Sequence, residues 1–257
     1  RAGRAPADVG LHRPPPWRRL YRNHHRQTET MRPFRAASPL VVGFGSGGGP
    51  TLSAFSDDFN RTSNASLGAN WTEAAGDGSI VSNTLLQVNT GSYAENVYAY
   101  TGTACATVNQ YVKVTFQFLS GADYPAIILR YTDASSPMYA IFFFNSEDRV
   151  IWTRKANAAD GSFTTIQTVD PFTVASGDVY GVTIDGTGTS TVVRIWRTPP
   201  SNTPTSSSNW GGDTTPDATF TTDPASPVDT GNYVGLGGET GSAGNVVFDN
   251  FFGGDCP

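Results

Sequence analysis

Arg130, Tyr139, Trp152, Arg154, Arg194 and Trp196 carry the chemistry of a sugar site: flat rings that stack on a pyranose and guanidinium forks that hold hydroxyls. They fall in predicted strands 125–132, 137–145, 149–155 and 190–197. Strand alternation puts Val192, Arg194 and Trp196 on one face, opposite Val193 and Ile195. It also puts Val150, Trp152 and Arg154 together, opposite Ile151 and Thr153. A face that mixes Trp with Arg reads as an exposed ligand groove; the same residues also fit a core whose arginines pair with acids. Trp210-Gly-Gly-Asp213, in a long polar loop, is a second place for a ligand.

A second constellation is acidic. Phe55-Ser-Asp-Asp-Phe-Asn-Arg61 opens one long stretch and Val246-Val-Phe-Asp-Asn-Phe-Phe252 closes it. If these ends pair, Asp57, Asp58 and Asp249 converge, and a structural Ca²⁺, which takes about six to eight hard oxygens, becomes the expected cofactor. Only one of Asp57 and Asp58 points to a given face unless the strand bulges. The alternative is that these acids are solvated or bond backbone amides. No EF-hand loop spacing is present.

Catalysis is not expected. Glycoside cleavage needs paired carboxyls a few ångströms apart, whereas Glu95, Glu147 with Asp148, and Glu239 are dispersed. His12, His24 and His25 all lie near the start, so the remaining chain has neither a histidine-dependent triad nor a zinc site. Cys105 and Cys256 form an even pair, read as a disulfide that ties down the C-terminal end; two free thiols are the alternative. Asn60-Arg-Thr, Asn64-Ala-Ser and Asn70-Trp-Thr match the N-glycosylation pattern.

The elements that must position these groups are strands. From residue 53 onward, short apolar runs are broken by Gly, Asn, Asp, Ser and Thr, the pattern of an all-β sandwich. Val112, Val114, Phe116 and Phe118 alternate with Tyr111, Lys113, Thr115 and Gln117, which predicts a half-buried strand. Asn145-Ser-Glu-Asp148 and Asp185-Gly-Thr-Gly188 read as turns between strand pairs. Residues 198–230, rich in Pro, Thr, Ser and Asp, form a long surface excursion. No apolar run is long enough for a membrane span.

Charge divides the chain. Residues 1–36 hold nine arginines against Asp8 and Glu29, a balance of +7. The formal total is −5, so the remainder carries −12. Residues 1–52 are expected to be a disordered basic arm with a Gly-rich linker, and residues 53–257 one folded domain. Residues 1–30 read as upstream sequence, a leader or a tail without a dedicated role. The sharper reading is an arm that contacts nucleic acid or another anionic polymer.

Asp57-Asp-Phe-Asn-Arg61, Leu67-Gly-Ala-Asn-Trp71, Ser79-Ile-Val-Ser-Asn-Thr-Leu85 and Phe248-Asp-Asn-Phe251 resemble concanavalin A-like, LamG-type jelly-roll domains over about residues 55–255. The resemblance implies an all-β, two-sheet antiparallel jelly-roll sandwich whose first and last strands lie side by side. Lectins, adhesion modules, glucanases and phage tail or fibre modules share this architecture, so it does not transfer a function. The expected function is a non-catalytic, calcium-stabilised carbohydrate-binding or adhesion module outside the cell or on a surface. Its partner would be a glycan or surface polysaccharide. The alternative is a structural protein of a virion, in which homo-oligomer or virion neighbours are the partners. A hydrolase is the remaining option.

Overall fold

The computed structural model describes residues 51–88, 94–118, 123–158, 163–221, 226–240 and 246–257. The expected basic arm with its three histidines lies outside them. In chain order the strands are β1 (Ala54–Asp57), β2 (Trp71–Ala75), β3 (Asp77–Val81), β4 (Thr84–Val88), β5 (Ala94–Tyr100), β6 (Gln110–Phe118), β7 (Asp123–Tyr131) and β8 (Met138–Phe144). Then come β9 (Arg149–Lys155), β10 (Phe163–Val169), β11 (Val179–Asp185), β12 (Val192–Arg197), β13 (Ala218–Phe220), β14 (Tyr233–Thr240) and β15 (Val246–Asp255). Each predicted strand named above has its counterpart. No helix among the described residues is long and apolar enough to cross a membrane.

Two antiparallel sheets result. The first runs β13-β12-β11-β6-β15-β4-β3, and β1 joins it on β15. The second runs β10-β9-β8-β7-β14-β5-β2. The two matching ends of the domain do pair: Ala54 stands opposite Gly254 and Asp57 opposite Phe251. A shift in register between Asp249 and Phe252 bends β15, so its first half meets β4 and its second half meets β1.

The predicted turns form where a positive φ is tolerated. Asp148 closes the β8–β9 hairpin at φ 48°, and Gly186 follows β11 at φ 76°. A Cβ on Gly186 would stand 2.4 Å from the Ser190 carbonyl oxygen, so only glycine fits there.

The main core lies between the sheets. Val112, Val114 and Phe116 of β6 meet Tyr139, Ile141 and Phe143 of β8 across the layer. At the joined ends, Phe55 stacks on Tyr100 at 4.4 Å, and Trp71 packs edge-on against Tyr100 at 5.4 Å. The outer faces are also covered. On the second sheet Ala126, Ile128, Met138, Ala140, Phe142 and Ile151 form a separate buried cluster. On the first, Tyr111, Trp196 and Trp210 bury one another. β6 was expected to be half-buried, but Trp210 covers Tyr111 on its polar face.

Arg130 links the sheets. It is fully buried, and its guanidinium donates to the carbonyl oxygens of Val108, Val228 and Gly186. Its backbone N–H donates to Gln110 Oε1 at 2.7 Å. Arg130→Met leaves those carbonyls without donors, so it is expected to cost about 3 kcal/mol or more in urea denaturation.

Candidate functional site

The structure separates the six expected sugar-site residues. Val150 and Trp152 face inward with Tyr139, and the Trp152 and Tyr139 rings meet at 5.2 Å inside the core. The Tyr139 hydroxyl accepts the Val228 N–H at 2.9 Å. Arg130 sits over Tyr139 at 5.8 Å as the buried clamp already described. Arg154 is half-buried further along β9. The opposite face of β9 holds Ile151, which belongs to the outer cluster of the second sheet. The exposed groove expected here is therefore corrected: both faces of β9 are buried, and the Trp-bearing one is core.

Arg194, Trp196 and Trp210 lie on the outer face of the first sheet. Arg194 pairs with Asp185 at 2.9 Å and donates to the Ser207 carbonyl at 3.1 Å. Trp210 is not a loop tip. Its ring lies edge-on to Trp196 at 5.5 Å and to Tyr111 at 6.0 Å, and its Nε1 donates to the Ser201 carbonyl. A Cβ at Gly181 would stand 2.7 Å from the Trp210 ring, so the strand beneath must be bare for the loop to lie down. Trp152, Trp196 and Trp210 are all 0% exposed. None of these rings can take a sugar face.

Of the three acids at the joined ends, Asp57 is already taken by other donors. Asp57 accepts two hydrogen bonds from Arg61, at 2.6 and 3.0 Å. It also accepts one from Trp71 Nε1 at 2.8 Å and one from the Phe59 N–H. An arginine already neutralises it, and its lone pairs are used. Asp58 accepts the Asn60 N–H, and Asp249 the Asn250 N–H. Among the described residues no group of three metal-ligating side chains forms. Burial pushes the Asp249 carboxyl above its ordinary range and Asp58 adds to the rise, while the Asn250 N–H opposes it.

Cys105 and Cys256 are both buried free thiols, so the expected disulfide is corrected to the alternative reading. Cys105 belongs to the core between the sheets. Cys256 follows β15 and feels Asp185, Arg194 and Asp255. Burial pushes the Cys256 thiol up to about 12 and raises Cys105 as well, so neither yields much thiolate.

An open groove of about 670 Å³ lies where the joined ends meet the long loop after β12. Leu52 to Ser56 form one wall and Asn202 to Thr205 the other, with Tyr111, Phe252, Asp255 and Pro257 between them. Phe252 is half-buried, and the Lys113 ammonium lies 6.0 Å from its ring centre. Lys113 donates to the Ser201 carbonyl at 2.9 Å and to Asn202 Oδ1 at 3.0 Å, which fixes the second wall. Burial lowers the Lys113 pKa.

The groove's one carboxylate is fully engaged. Asp255 accepts the N–H groups of Ser53, Ala106 and Thr107 at 2.7–2.8 Å and the Thr107 hydroxyl at 2.9 Å. Sequence reasoning found the ingredients apart, as matching ends and a long loop. That they share one groove depends on pairing more than 200 residues apart. Of the dispersed acids, Glu147 pairs with Arg149 at 2.6 Å, whereas Glu239 of β14 stands directly opposite Glu95 of β5 in the sheet register. The side chain of Glu95 lies outside the described residues.

Two antiparallel sheets with paired chain ends make this the expected all-β, two-sheet antiparallel sandwich. No protein-family model matches the chain, and no curated protein matches it. Among solved structures it is similar to the carbohydrate-binding module CBM66 from Bacillus subtilis, at 14% identity and a TM-score of 0.47, over 71% of this chain and 94% of that one. Lectin II from Ulex europaeus is similar at 14% identity and a TM-score of 0.46, over 79% and 98%. The exoplasmic/lumenal domain of VIP36, in a Ca²⁺/Man3GlcNAc-bound form, is similar at 14% identity and a TM-score of 0.43, over 72% and 83%. Likenesses this distant carry nothing about a ligand of this chain.

Two outcomes follow from the electrostatics. A carboxyl whose folded pKa is raised gives stability at low pH that is lost as pH rises through that pKa. Asp249→Asn is therefore expected to raise Tm at pH 7 and to give no advantage at pH 3. Millimolar calcium is expected to leave both Tm values unchanged; a calcium-dependent rise that Asp249→Asn abolishes would restore Asp58 and Asp249 as cation ligands. The thiols are expected to resist a maleimide in the native protein and to label fully in urea, with no Tm change on adding reductant.

Proposed function

We propose that this chain is a non-catalytic carbohydrate-binding module that meets its glycan outside the cell or at a surface, as an adhesion domain does. The observation that carries the reading is the groove beside β15. Its volume of about 670 Å³ lies within the roughly 300–1,000 Å³ of small-ligand sites. It combines the partly exposed ring of Phe252 with the amide of Asn202 and the hydroxyls of Thr203, Thr205 and Ser56. A ring that gives one apolar face and side chains that fork onto hydroxyls are what a pyranose requires.

The same lining supports the non-catalytic part of the reading. Bond cleavage at a glycosidic oxygen calls for two carboxyl groups, one of them free to give a proton. Among the residues that line the groove only Asp255 is acidic, and its oxygens already hold four donors. The reading needs no calcium either, since Asp57 is held by Arg61 rather than left for an ion.

A glycan array probed with the whole chain, with calcium and again with chelator, tests this reading. Selective binding in both conditions is the expected result. Phe252→Ala is expected to weaken that binding about tenfold, measured by calorimetry, because the stacking face is lost. Absence of binding to every glycan would end the proposal.

A further inference from the structure

The outer face of the second sheet is buried, yet among the described residues its apolar cluster draws on no second layer. Val97 and Ile128 are 1% exposed, Phe142 2%, and Ala126 and Ala140 0%. Every member of that cluster except Ala158 belongs to the sheet itself, in β5, β7, β8 and β9. The partly buried residues packed against it, Ala74, Ala75, Tyr124, Phe163 and Tyr233, stand on strands of the same sheet. A valine, isoleucine or phenylalanine on an open sheet keeps its tip in water unless another layer covers it. The face is also short of bulk. Gly235 and Gly237 alternate with the core residues Val234 and Leu236, so β14 gives it no side chain at its centre.

A cover for this face must be apolar, long enough to cross several strands, and close at hand. Five short segments inside the domain lie outside the described residues, at 89–93, 119–122, 159–162, 222–225 and 241–245. Each is four or five residues long, and together they offer only Tyr93 and Leu119 as large apolar side chains. The chain ahead of β1 is different. Pro39-Leu-Val-Val-Gly-Phe44 is an apolar run, followed by the linker Gly45-Ser-Gly-Gly-Gly-Pro50. In an extended chain Leu40, Val42 and Phe44 share one side. The compact unit that holds the sandwich begins at Ala37. The point of entry also suits. Phe55 of β1 stacks on Tyr100 of β5 at 4.4 Å, and β5 with β2 forms one edge of the second sheet. A linker of this length reaches about 20 Å, and packed sheets lie about 10 Å apart. The apolar run can therefore round that edge and lie on the outer face.

We propose that residues 39–44 form an apolar strap over the outer face of the second sheet, with Leu40, Val42 and Phe44 seated among Val97, Ile128 and Phe142. The strap is the missing layer of that sheet. The groove beside β15 belongs to the first sheet, so the strap leaves it open.

The test uses the full chain with a benzophenone amino acid in place of Phe44. Irradiation followed by peptide mass spectrometry is expected to give links within one chain to β7, β8 or β14. Links between two chains would seat a second copy on the face, and links to other strands, or none, would leave the face to another cover. Each of these outcomes overturns the proposal. A pair of substitutions gives an independent reading. Val42→Asp is expected to lower Tm by about 5 °C and to raise the fluorescence of an apolar-surface dye about threefold, because a buried valine has become a carboxylate. Val41→Asp, on the opposite side of an extended run, is expected to match wild type in both readouts. Any other pattern, equal effects or none included, overturns the strap.

Discussion

One buried carboxylate joins the stretches of chain on which the rest depends. Asp255, 2% exposed near the last residue, accepts from Ser53 just ahead of β1 and from Ala106 and Thr107 in the loop before β6. Hydrogen bonds to a charged acceptor contribute about 1.5–3 kcal/mol each, and backbone amides are rigid donors. This clamp fixes where β1 lies on β15, and so fixes one wall of the groove. At the other end of β1 the Asp57 carboxylate does similar work, holding Arg61 and the Trp71 ring beside the Phe55–Tyr100 stack. Both ends of the short first strand are held by acids that take several donors. That is why neither acid is free for a metal or for proton transfer.

The second constraint is that part of each sheet's outer face is buried as well as its inner one. The second sheet has the main core on one face and the cluster of Ala126, Ala140 and Phe142 on the other. The first sheet has the same core inside and the Tyr111–Trp196–Trp210 cluster outside, under a loop that Trp210 pins down. A Trp on a strand is therefore more often a fastener here than a platform. Phe252, one of several half-buried aromatic rings among the described residues, lies where the loop after β12 and β1 leave a groove between them. The groove is a consequence of how far the loop reaches.

Much of the fold was legible because strands and turns are written locally. Val112, Val114 and Phe116 do face the core, Asp148 and Gly186 do sit in turns, and the ends marked by Phe55–Arg61 and Val246–Phe252 do pair. The site was legible only in pieces. Trp152 and Arg154 share a face as alternation requires, yet alternation carries no sign of inside or outside, and the apolar neighbour Ile151 made the wrong face look buried. Asp57 looked like an ion ligand because its partners, Arg61 and Trp71, are brought to it by a turn and by packing. Cys105 and Cys256 matched as a pair in number only; one packs in the core and the other caps β15.

By itself the amino-acid sequence determined an all-β chain, the order of its strands and the lack of histidine chemistry in the sandwich. These depend on residue type, period-two alternation and turn preferences, which act over a few residues. Only the tertiary structure decided which faces are covered, which acids are spoken for, and that Leu52, Tyr111, Asn202 and Phe252 line one space. Those outcomes depend on contacts between residues up to about 200 positions apart, set by sheet order and by how one loop lies on a strand, and a local pattern holds no record of either.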